Sequence, residues 1–112
     1  LKEGCVNPNR IVNIGVQVLP LTEDAIPIVD RAIAAIAASG LTYEVGPLET
    51  TIEGPFEAAL AAAKAAHLAC IEAGVSQVVT ILKIADGAAG GMTIKEKTAK
   101  YRPRPVKPIP VC

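Results

Sequence analysis

Asn13, Gly15 and Gln17 alternate along one stretch of the chain, Glu49, Thr51 and Glu53 along a second, and Ile81 and Lys83 along a third. A period of two places each set on one side of a strand. Amides, a hydroxyl and carboxylates gathered around a glycine, with Val79 and Ile81 as an apolar wall, are the parts of a small-molecule pocket. Lys83 could reach a phosphate or pair with a carboxylate. Gly15 is the informative member. Glycine weakens the interior of a strand and packs nothing, so a ligand or a partner's backbone must gain from the missing side chain. Taken singly, each of these residues fits a surface or interface position better than a ligand site; as a set on one face they carry more weight.

The remaining reactive residues argue against catalysis. Glu49 and Glu53 stand four apart, roughly 13 Å along a strand, which is wider than either carboxylate spacing used in glycoside hydrolysis. His67 is the sole histidine and lies on the apolar side of a predicted helix, between Ala63 and Cys70. It reads as a histidine packed where helix meets sheet, with no second ligand for a metal and no partners for a triad. Cys5, Cys70 and Cys112 have neither disulfide-framework nor metal spacing. Cys70, in a helix, reads as a small buried hydrophobe. Gly87, Gly90 and Gly91 precede a helix start, but no Gly-Lys-Ser/Thr follows them. They read as a connector. No catalytic residue, metal site or cofactor is expected.

Eleven basic residues balance eleven acidic ones in 112. No net field recruits nucleic acid or an anionic membrane, and Tyr43, Phe56 and Tyr101 are too few aromatics for base stacking. No run approaches the ~18 apolar residues of a membrane span, and no signal peptide is visible. A reducing, cytoplasmic setting is expected.

The elements that must hold the polar set follow from periodicity. Residues 10–19 form a strand with Val12, Ile14, Val16 and Val18 on the other side. A helix capped near Asp24 carries Ile26, Val29, Ile33 and Ile36 at helical spacing and stops at Ser39-Gly40. A hairpin fills residues 40–54. In it Leu41, Tyr43 and Val45 alternate with Thr42 and Glu44, Gly46-Pro47 makes the turn, and Leu48, Thr50 and Ile52 alternate with Glu49, Thr51 and Glu53. An alanine-rich helix begins at Pro55 and ends before Gly74. Residues 76–85 form the last strand. Thr93 and Glu96 have capping-box spacing and open a short helix to about Tyr101. The segmentation is a loose leader at 1–9, one domain at 10–102 and a proline-rich tail at 103–112, extended unless docked.

Strand, helix, strand, strand, helix, strand is the ferredoxin-like βαββαβ pattern of an α+β domain. It predicts a four-stranded antiparallel sheet with helices on one face, plus the short C-terminal helix. Strands one and three become central neighbours. The uncovered face should be polar if it meets water, yet Val79 and Ile81 point there. A small domain gains from association, so a homo-oligomer packed through this face or its edge is expected.

Residues 11–20, 39–54 and 78–84 resemble the thiamine-binding-protein-like family, the YkoF-like group of small ferredoxin-like proteins. The resemblance covers roughly residues 10–101, and the hairpin followed by Glu53-Gly54 is its most specific part. It implies a homotetramer built as a dimer of dimers that binds thiamine or its hydroxymethylpyrimidine part without catalysis. On that footing Asn13, Gln17, Glu49, Thr51 and Glu53 would meet the aminopyrimidine edge and the thiazolium cation, Val79 and Ile81 would form the wall, and Gly15 would admit the ligand to the backbone. Other readings are a metabolite sensor or small enzyme on the same scaffold, and a structural interaction module.

Overall fold

The computed structural model describes residues 7–101. Most of the leader, the proline-rich segment 103–112, Cys5 and Cys112 lie outside the described residues. The order is β1 (Ile11–Pro20), α1 (Ile26–Ala38), β2 (Thr42–Val45), β3 (Thr50–Pro55), α2 (Phe56–Glu72), β4 (Val78–Ala85), α3 (Ile94–Thr98) and a 3₁₀ turn (Ala99–Tyr101). The sheet runs β2-β3-β1-β4, all antiparallel, with β1 and β3 as central neighbours. This is the expected α+β, ferredoxin-like arrangement.

Alternation on β1 creates the core. Val12, Ile14 and Val16 turn to α1 and α2 with Ile52 of β3, and all four are buried with Ala32, Ile36 and Cys70. The helix side of this core is mostly alanine, at 59, 62, 63 and 66. Such small residues let α2 lie close on the sheet, and burial rather than helix propensity alone fixes the helix in place.

Several boundaries differ from the periodicity. Ala25, not Asp24, precedes α1, and no side chain caps it. Pro55 ends β3 instead of opening α2; its φ of −58° suits either role, and its ψ of 145° is extended. Leu48 is not a strand residue. Gly46 N–H donates to Glu49 C=O at 2.9 Å, closing a turn that leaves Leu48 exposed. Glu49 is therefore the last residue of that turn rather than a member of β3.

The third helix is on the side away from α1 and α2. After β4 the chain turns at Gly90, whose φ of +105° favours glycine. Gly91 N–H then donates to Ile11 C=O at 3.0 Å, and Ile94 N–H reaches the Glu53 carboxylate on β3 at 2.6 Å. The segment thus crosses the second face of the sheet from β4 to β2. Thr93 and Glu96 form the expected capping box. The expectation that this face is uncovered holds only for the part beyond the crossing.

Candidate functional site

Strand register brings the polar set together. Gly15 stands between Thr51 on β3 and Lys83 on β4, and Asn13 between Glu53 and Ala85. Gln17 faces Ile81, and the rows extend to β2 through Glu44 opposite Thr51 and Thr42 opposite Glu53. Asn13, Gly15, Gln17, Thr51, Glu53, Ile81 and Lys83 therefore share one face, as their alternation predicts. Glu49 joins them from the turn.

Glu49 explains the glycine. Its Oε1 lies 2.6 Å from Lys83 Nζ. A Cβ built on Gly15 would come within 3.0 Å of Glu49 Cδ and collide with Oε2. The space above Gly15 is thus taken by a carboxylate of the same chain, at the place where its sequence context suggests a ligand or a partner's backbone. The ion pair runs from the β2–β3 turn, over β1, to β4.

Two groups on this face are buried without hydrogen-bond partners. Asn13 is 3% exposed, and both its Oδ1 and Nδ2 are unpartnered; so is Glu49 Oε2. Burying an amide without partners is costly, and β1 could carry a threonine or valine here instead. Glu53, by contrast, is committed to the Ile94 N–H, so its first task is holding α3. Ile81 and Val79 are 44% and 43% exposed.

Two cavities adjoin the set. One of about 560 Å³ lies between α3 and β2, lined by Thr42, Glu44, Glu53, Ile94, Lys95 and Thr98 among others. The next, of about 290 Å³, lies at the turn and is lined by Glu44, Pro47, Glu49, Thr51 and Thr98. The first falls within the size range of small-molecule sites. Thr98 and Ile94 were invisible to strand alternation, because only the crossing of the chain brings them to this face; the Thr93–Glu96 spacing reveals the helix but not where it docks. A third cavity of about 150 Å³ lies on the opposite side, under α1, with a largely apolar lining.

Other reactive groups are engaged elsewhere. His67 Nδ1 is 2.6 Å from Thr80 Oγ1, joining α2 to β4 on the helix side. Cys70 is fully buried, and its thiol donates to Ala66 C=O; burial pushes its pKa up. Arg10 makes a two-pronged ion pair with Asp86 and lies over the Phe56 ring, 5.7 Å from its centroid. This hydrogen-bonded pairing raises the Arg10 pKa and lowers that of Asp86. No group of three or more potential metal ligands occurs among the described residues. No described helix is long and apolar enough to cross a membrane.

The arrangement offers an amide able to donate and accept, a carboxylate with one unpartnered oxygen, a hydroxyl at Thr51, and cavities on the same face. Residues 14–102 match the family described as thiamine-binding protein. A UPF0045 protein of Clostridium perfringens is 42% identical over 92 residues, covering 80% of this chain and 96% of that protein. The structure of a domain of unknown function, DUF77, from Bacillus cereus superposes with a TM-score of 0.79 at 40% identity, covering 87% of this chain and 96% of that one. A candidate thiamine biosynthesis/salvage protein of Thermotoga maritima gives 0.74 at 38% identity, covering 82% and 99%.

Proposed function

This chain belongs to the thiamine-binding protein family, and we propose that it binds thiamine, or the hydroxymethylpyrimidine part of it, on the sheet face opposite α1 and α2, without catalysing a reaction. The observation that carries this reading is the buried, unpartnered amide of Asn13 beside the half-satisfied carboxylate of Glu49. An aminopyrimidine presents adjacent acceptor and donor groups, which one carboxamide can meet with both of its ends. The thiazolium carries the positive charge that Glu49 complements. Thr51 and Gln17 complete the polar rim, and Ile81 provides an apolar wall. Binding rather than catalysis is favoured because His67 is used on the other side of the sheet, hydrogen-bonded to Thr80. The free, buried thiol of Cys70 suits work in the cytoplasm.

We read the functional unit as a homo-oligomer, with a tetramer as the expected size. Leu82 and Ile84 on one side of β4, and Val79 and Ile81 on the other, are each more than a third exposed. An outer strand with apolar residues on both sides favours association. Light scattering should give a multiple of the 11.5 kDa chain mass.

Calorimetric titration of thiamine and of hydroxymethylpyrimidine into the wild type and Gly15→Val tests the site. The wild type binds, and saturation at a hundredfold excess over Kd adds about 2.7 kcal/mol to its stability. A Cβ at residue 15 meets only the flexible end of Glu49, so the variant folds, but the added side chain pushes the carboxylate off β1 and binding is lost. A folded Gly15→Val that binds thiamine as the wild type does would move the ligand elsewhere.

A further inference from the structure

Glu49 and Lys83 are unequal partners. The Lys83 side chain is 70% exposed and that of Glu49 26%. An ammonium so largely in water gives up little by leaving an ion pair. A carboxylate that is mostly covered, with Oε2 already unpartnered, is poorly off without a cation. Such a pair changes its cation far more easily than its anion.

The setting of the pair is also expensive for a surface contact. Valine would suit a central strand better than Gly15 does, yet any Cβ there would strike the Glu49 carboxylate. An exposed ion pair contributes too little to offset that loss. The glycine makes sense if the position of the carboxylate over β1 is itself what matters.

We propose that Lys83 is an internal stand-in for the ligand's cationic ring: its ammonium holds Glu49 over Gly15 until the ligand's positive charge takes its place. The inference rests on the thiamine reading and adds what that site selects. Glu49 discriminates a cationic from a neutral heterocycle, and Lys83 is the competitor the ligand must displace. Lys83 is thus a residue that sets affinity without touching the bound ring, while the Asn13 amide meets charged and neutral ligands alike.

The readout is the ratio of the affinity for thiamine, a cation, to that for hydroxymethylpyrimidine, which is neutral. Calorimetry on the wild type, Lys83→Met, Lys83→Gln, Lys83→Arg and Glu49→Gln measures it, with thermal unfolding confirming that each variant folds. Lys83→Met and Lys83→Gln raise the ratio roughly threefold, the worth of an exposed pair. Lys83→Arg, which keeps the charge, restores the wild-type ratio. Glu49→Gln lowers it roughly tenfold or more, as expected when a charge-assisted contact is lost. A ratio that is unchanged or lowered in both neutral Lys83 variants, with thiamine still bound by the wild type, overturns the proposal. If the wild type binds neither compound, the thiamine reading fails and this inference falls with it.

Discussion

Toward α1 and α2 the sheet presents Val12, Ile14, Val16 and Ile52, all buried against alanines and Ile36. Toward α3 it presents Asn13, Gly15, Thr51 and Glu53 at alternating positions of the same two strands. The first side is dry, and its fit is shape against shape. The second carries an amide and a carboxylate oxygen buried without partners, and a five-residue helix tied down by Glu53. Two strands thus serve two purposes, one per face. Stability is concentrated on one side, and the costly, unsatisfied groups are on the other, where a ligand could repay them.

Substitutions on the two faces should separate stability from binding. Ile52→Ala removes a fully buried side chain from the helix side and should lower unfolding free energy by about 2–5 kcal/mol. Chemical denaturation measures the loss, and thiamine affinity at low denaturant should change far less. Asn13→Leu should behave in the opposite way. Replacing an unpartnered buried amide with an apolar group of similar size should shift stability by less than about 1 kcal/mol, in the stabilising direction if the fit is good. Binding should fall by roughly 1–3 kcal/mol. If Asn13→Leu instead destabilises strongly and still binds, the polar side is structural too and the division between the faces fails.

The smallest effect concerns the Arg10–Asp86 pair that fastens the crossing segment. Its carboxyl is held below the ordinary range by the Arg10 hydrogen bonds, so the folded state binds the proton less readily than the unfolded state. The stabilisation is complete above the unfolded carboxylate pKa and is lost as pH falls through the lowered folded value. Denaturation midpoints of the wild type and Asp86→Asn should differ at neutral pH and converge in acid. A constant difference across the series would mean that the substitution acts through something other than this charge.

These contrasts also explain how far the sequence could be read. The alternation of Val12, Ile14 and Val16 with Asn13, Gly15 and Gln17 reports both faces of β1, because a strand's period is fixed by backbone geometry. The stops at Ser39-Gly40 and Gly74 are equally local, and the pattern of elements follows. Glu49 was misplaced because Leu48, Thr50 and Ile52 continue an alternation through a turn that Gly46 and Glu49 close by hydrogen bonding. Asn13 looked like a surface amide. The segment bonded to Ile11 through Gly91 and to Glu53 through Ile94 passes beside it from about eighty residues later in the chain, and no local pattern encodes that. The strand-interior glycine at 15 points to a ligand or a partner's backbone, and the Glu49 carboxylate that lies over it comes from the neighbouring turn, which no local pattern announces.

The docking of α3 has a consequence for the order in which the molecule assembles. Five residues are too few for a helix to persist alone in water. Its capping box stabilises the first turn, but Glu53 can receive the Ile94 N–H only once β3 is in register. Likewise, Gly91 needs the start of β1, and Arg10 and Asp86 must be brought together from opposite ends of the domain. The sheet with α1 and α2 can form without any of these contacts; α3 cannot take its place without the sheet. The crossing segment is therefore expected to settle last during folding and to detach first on opening. Because it crosses beside Asn13, its opening would uncover that amide while Ile14, Ile36 and Ile52 stay packed.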